Sequence, residues 1–126
     1  MSYAELGRQA GLSPPAAAER VRRLEDTGLI TGYHAALNPK HLGLPIRVII
    51  EIQVKKPDYP RFQKAVQGLA WITECHHITG RSAFVLTAVA PSVEGLESLI
   101  GHLSQYGETT TSLVMSTVVA RRVFTV

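Results

Sequence analysis

Cysteine occurs once in the 126 residues, at Cys75, so no internal disulfide can brace the fold. A reducing cytoplasm is the expected compartment. Long apolar runs are also missing. None approaches the roughly 20 residues that a membrane span requires. Met1 leads into Ser-Tyr-Ala-Glu without a basic start or an apolar segment, so no secretory leader is expected. Excess charge of either sign is absent. The net charge is +3, split as +1 over residues 1–46 and +2 over residues 47–126. Bulk charge therefore does not announce a nucleic-acid binder, and any such role must rest on local arrangement. No nucleophile elbow, P-loop or dinucleotide fingerprint is present, so neither an enzyme nor a cofactor is expected. Apolar residues, in contrast, are plentiful at 45%, enough for a packed core and too many for a disordered chain. The length suits one ordinary domain or two very small ones.

The first thirty residues carry helix signals. Ser2 followed by Glu5 fits a capping box, and Leu6 and Ala10 share one face of the helix it opens. Gly11 ends that helix. Ser13 is then an N-cap, and Pro14 occupies a first helical position, where its missing N–H costs nothing. Ala17, Val21 and Leu24 form an inward stripe at i, i+4, i+7, and Gly28 stands where a helix stop is expected. The pattern is helix, tight turn, helix. Residues 30–38 read as extended, and Asn38-Pro39 stops them.

From Arg47 the period changes to two. Val48, Ile50, Ile52 and Val54 alternate as in a strand. Asp58 is placed to cap a helix with the stripe Phe62, Ala65, Val66 and Leu69. Strands are expected over 71–79 and 83–90, with a turn at Gly80 and Ser82. Ser92 caps a helix with the stripe Leu96, Leu99, Ile100 and Leu103, and a long strand is expected over 109–124. The order β-α-β-β-α-β is the ferredoxin-like unit. The run "AFVLTAVA" is apolar on both faces of its strand, and Ile49 interrupts the polar side of the first. Both sheet faces therefore need cover, most simply a second copy of the chain.

The expected class is α+β, a partial winged helix-turn-helix followed by a ferredoxin-like domain. The expected boundaries are 1–30 for the helix-turn-helix, 31–46 for a linker strand and turn, and 47–126 for an effector-binding and oligomerisation domain. These elements resemble the Lrp/AsnC, or feast/famine, transcription regulators. The likeness covers the whole chain. It is most specific in "AELGRQAGLSPPAAAERVRRLEDTGLITGYHAALNPKHLGL" and in "CHHITG". The resemblance implies a regulator that binds double-stranded DNA, forms dimers sheet to sheet and often octamers, and takes amino-acid-like effectors near the turn after Thr79-Gly80. Two departures from the family pattern stand out. The helix that precedes Ser2 in the family has no counterpart, so the DNA-binding domain is expected to lack its first helix. Ser82 and Ala83 stand where the family usually carries an aromatic and an acidic residue. The alternative reading is a stand-alone small-molecule-binding or assembly module without a DNA role.

The candidate sites follow. For DNA, the start of the second helix would bring Ser13, Pro15, Ala16 and Glu19 near base edges. Arg20, Arg22 and Arg23 lie on its outer side, with Arg20 and Arg23 placed to reach bases or phosphates. The plainer alternative is a solvated face with a Glu19–Arg23 ion pair at i,i+4. For an effector, the backbone of Gly80, Arg81, Ser82 and Ala83 would hold a carboxylate with Arg81 assisting, or the segment is simply a hairpin turn. Thr111 and Ser112 lie in a run of hydroxyls that would complete the pocket from a neighbouring dimer, or are ordinary strand threonine and serine. His76 and His77 are adjacent on a strand and face opposite ways. Cys75 and His77 share a face but are too few for zinc, so no metal is expected.

Overall fold

Ser2 starts α1 (Tyr3–Ala10) with a reciprocal pair of bonds. Its hydroxyl accepts from the Glu5 amide at 3.2 Å, and its own amide donates to the Glu5 carboxylate at 3.3 Å. The helix stops where Gly11 turns left-handed, at φ 71°. Ser13 caps α2 (Pro14–Asp26), its hydroxyl accepting from the Ala16 amide at 3.3 Å, with prolines in the first turn. Inside this pair Ala17 is 1% exposed, Val21 is half-buried, and Leu24 is 38% exposed. The apolar stripe of α2 is thus covered at its start and open at its end. The computed structural model describes residues 1–123. It divides into two units, Met1–Leu37 and Asn38–Val126. Residues 30–38, expected as an extended segment, pair with no strand.

The second unit begins with a short turn, Pro39–Leu42, capped by the Asn38 side chain. It continues through β1 (Ile46–Val54), α3 (Tyr59–Gln67), β2 (Ile72–His77), β3 (Phe84–Ala90), α4 (Val93–Ser104) and β4 (Gly107–Leu113). The sheet order is β2-β3-β1-β4, antiparallel throughout, which is the ferredoxin-like arrangement. The period-two pattern of β1 works as expected. Val48, Ile50, Ile52 and Val54 are buried with Phe62 and Val66 of α3, Phe84, Leu86 and Ala88 of β3, and Leu99 and Leu103 of α4. Arg47, Ile49, Glu51 and Gln53 point to the other face, which no helix covers. Ile49 is 42% exposed there.

Three expectations change. Asp58 makes no side-chain cap to α3. A one-turn helix, Lys56–Asp58, already leads in, and the Asp58 carboxylate lies 3.8 Å from Arg61 instead. β2 is shorter than 71–79 and is interrupted at Thr73, whose hydroxyl donates to the Thr87 carbonyl at 3.1 Å. The last strand stops at Leu113 rather than running over 109–124. After the Val114 amide donates to the Arg47 carbonyl at 2.8 Å, β1 has no further residue to pair, and the chain continues without a ladder. Residue 124 lies outside the described residues.

Candidate nucleic-acid interface and ligand turn

The connection between α1 and α2 is fixed by one short bond. The Leu12 amide donates to the Gly7 carbonyl at 2.7 Å, and Gly7 is buried beneath the turn. A side chain at Gly7 would place its first carbon 2.5 Å from the Leu12 carbonyl oxygen. The tight approach of the two helices therefore depends on glycine at this position.

On α2 the expected DNA residues are nearly all on the surface. Ser13, Pro15, Glu19, Arg20, Arg22 and Arg23 are exposed, and Ala16 is half-buried. Helical spacing puts Ala16, Arg20 and Arg23 on one side, at i, i+4 and i+7, with Glu19 beside them. The Ser13 hydroxyl is already engaged as the helix cap. The expected Glu19–Arg23 pair does not form. Glu19 instead accepts from Arg22 at 3.0 Å, one turn apart, with both side chains more than half exposed. Among the described residues Arg20 and Arg23 have no acidic partner. The α2 surface thus presents two uncommitted guanidinium groups beside a small residue, a surface that can approach a polyanion closely.

The effector candidates lie in the second unit. Gly80 takes φ 103°, which glycine alone adopts without strain, and allows the chain to reverse between β2 and β3. The Ile78 amide donates to the Ala83 carbonyl at 2.9 Å and closes the turn. The Ala83 amide donates to the Ile52 carbonyl at 3.2 Å and ties the turn to β1. Arg81 and Ser82 consequently line a polar cleft with Glu51 and Gln53 of β1 and Glu108 and Thr110 of β4. Thr111 and Ser112 do not line it. They lie on opposite faces of β4, with Thr111 paired to Ile50 on the helix side and Ser112 to Ile49 on the open side. Sequence reading missed Glu51, Gln53, Glu108 and Thr110. Their period-two polar positions were visible, but not that the turn folds back over them.

Cys75 and His77 are on the helix side of β2, opposite Leu86 and Phe84. Burial pushes the Cys75 thiol up from its ordinary value. His77 stacks against Tyr59 and Phe84, with ring centroids 5.2 and 5.0 Å away. His76 is on the open face and contacts Glu74 at 3.0 Å. Among the described residues no group of three or more histidine, cysteine or acidic side chains is gathered as for a metal ion, and no helix is long and apolar enough to cross a membrane.

Comparison with known proteins bears on both units. A family model described as the AsnC-type helix-turn-helix domain matches residues 1–25, and one described as the Lrp/AsnC ligand binding domain matches residues 47–124. The HTH-type transcriptional regulator LrpC of Bacillus subtilis is 41% identical over 116 residues, covering 92% of this chain and 81% of that protein. Its solved structure superposes with a TM-score of 0.91 over 96% of this chain and 86% of that one. The leucine-responsive regulatory protein of Escherichia coli is 38% identical over 125 residues, covering 94% of this chain and 76% of that protein. A feast or famine regulatory protein from M. tuberculosis, solved in complex with L-methionine, superposes with a TM-score of 0.87 at 27% identity, over 98% of this chain and 86% of that one.

Proposed function

The chain belongs to the Lrp/AsnC family and is a DNA-binding transcriptional regulator of that type, and we propose that α2 is the element that reads the DNA while the second unit takes an amino-acid-like effector and joins two copies of the chain. The observation that carries the DNA reading is the exposed side of α2. Arg20 and Arg23 stand there without acidic partners, next to Ala16 and behind the capped start at Ser13. A helix so arranged enters a major groove with its first turns at the base edges and its arginines on bases or phosphates.

The dimer reading rests on the open sheet face. Ile49 and Val85 stand on it near the half-buried Thr87, and Val89 lies opposite Arg47. A stable pair typically buries about 800 Å² per partner, and a four-stranded face is large enough to supply it. Assembly of dimers into an octamer is part of the same proposal. The effector reading rests on the turn at Gly80–Ala83, which borders a polar cleft. The L-methionine found with the M. tuberculosis relative supports an amino acid as the class of ligand.

Selection from a random duplex library at moderate salt tests the DNA function. Because a two-fold dimer presents two α2 helices, the enriched sites should be inverted repeats with half-sites about 10 bp apart, or a multiple of that. A library that stays unenriched would overturn the reading of α2.

A further inference from the structure

The cleft beneath the β2–β3 turn is unusual in its charges. Its volume is about 370 Å³, and its lining is Glu51, Gln53, Arg81, Ser82, Glu108 and Thr110. Glu51 stands opposite Thr110 on β4, and Gln53 opposite Glu108, so the two carboxylates are diagonal neighbours on one face. Such neighbours are close enough to repel and to share one cation. Arg81 reaches the same cleft from the turn, because the bond from the Ala83 amide to the Ile52 carbonyl holds the turn against β1. Among the described residues none of the three forms an ion pair: the pairs present are Arg22–Glu19, Arg61–Asp58 and His76–Glu74. Opposite charges therefore line one cavity without neutralising each other.

We propose that this cleft binds an amine-bearing carboxylic acid as a zwitterion, with Arg81 on the carboxylate and Glu51 and Glu108 on the ammonium group. The inference rests on the effector reading above and assigns its residues. A guanidinium presents a planar fork of donors that fits a carboxylate with two parallel bonds. An ammonium carries three donors and no acceptor, and two carboxylates with the Thr110 hydroxyl offer it three acceptors. The volume falls within the range of small-ligand sites, about 300–1,000 Å³. Ala83, where the family pattern suggests an acid, leaves the turn itself without an anion. Glu51 and Glu108 supply that charge from the strands below.

The test is calorimetry on the full chain with the twenty standard amino acids as probes. The tightest binder is then compared with its α-hydroxy acid, which lacks the ammonium, and with its amide, which lacks the carboxylate. The amino acid should bind at least about tenfold more tightly than either, as loss of a charge-assisted hydrogen bond predicts. Arg81→Ala should reduce the amino acid to the affinity of its amide. The double variant Glu51→Gln, Glu108→Gln should reduce it to the affinity of its hydroxy acid. All three positions are on the surface, and matching thermal melts would confirm that the variants fold. Amino-acid binding that ignores both variants would overturn the cleft assignment and leave the effector reading intact. Failure of every amino acid to bind would overturn both.

Discussion

The carbonyl oxygen of Gly7 and the amide of Leu12 are joined at 2.7 Å, and that bond fixes how α1 meets α2. The room for it exists because Gly7 has no side chain, since a first side-chain carbon would lie 2.5 Å from the Leu12 carbonyl oxygen. That atom is backbone and cannot swing aside. Gly7→Ala is therefore expected to destabilise the helix pair by about 1–3 kcal/mol, the usual cost of overpacking. Two-dimensional amide spectra should show shifts or losses confined to residues 1–37, with the second unit unchanged. A Gly7→Ala protein with the wild-type spectrum would show that the turn tolerates the extra carbon.

The sheet offers a paired test of assembly. Leu86 and Ala88 point into the core against α3 and α4, and both are fully buried. Ile49 and Val85 point to the face that no helix covers. Lysine at Ile49 or Val85 should convert dimers to folded monomers, because only the intermolecular contact loses its apolar match. Lysine at Leu86 should instead unfold the domain, since it buries an unpaired charge. Light scattering with circular dichroism separates the two outcomes. Wild-type dimers that survive both surface substitutions would place the interface elsewhere.

Much of this was legible before any coordinates. The capping box at Ser2 and Glu5, the Ser13 cap and the alternation of Val48 to Val54 are local signals, and the local structure follows them. The failures share a cause. Asp58 reads as a cap, but the preceding Lys56–Asp58 turn has already set the backbone, and the carboxylate faces Arg61. Thr109 to Val123 reads as one strand by propensity. Pairing, however, needs a partner, and β1 begins at Ile46, so the ladder ends at Leu113. Glu19 pairs with Arg22 rather than Arg23, a choice between two neighbours that spacing alone leaves open. The cleft residues Glu51 and Glu108 were invisible as a site because they are 57 positions apart and meet only through strand register.

Cys75 provides a pH-dependent test. Burial pushes its thiol up. The folded chain thus holds the proton more tightly than the unfolded chain. The stability this adds is whole below the ordinary thiol range and is lost as pH rises through the folded value. Wild type should accordingly lose more stability than Cys75→Ala between pH 7 and pH 10, read from urea unfolding at both. Iodoacetamide at pH 8 should modify the folded protein more slowly than free cysteine. Labelling as fast as free cysteine would mean that the thiol is accessible.

The arginines of α2 make unequal predictions because the structure treats them unequally. Arg22 is held by Glu19 at 3.0 Å, whereas Arg20 and Arg23 share a side with Ala16 and have no acidic partner among the described residues. An exposed pair is weak, about 0.2–1 kcal/mol, so it delays Arg22 rather than forbidding it a phosphate. The free pair should carry more of the binding. Each of Arg20→Ala and Arg23→Ala, if the lost contact is to a phosphate, should lower affinity for all sequences and reduce the slope of log affinity against log salt by about one. If the lost contact is to a base, the slope should hold while discrimination at one position falls by about 1–3 kcal/mol. Arg22→Ala should do less of either. Glu19→Gln should raise affinity, because it removes a carboxylate from the DNA side and releases Arg22. The measurement is a titration of one selected duplex at two salt concentrations with all four variants. If Arg22→Ala proves as damaging as Arg20→Ala, or Glu19→Gln weakens binding, then the side of α2 carrying Ala16, Arg20 and Arg23 is not the one that meets the groove.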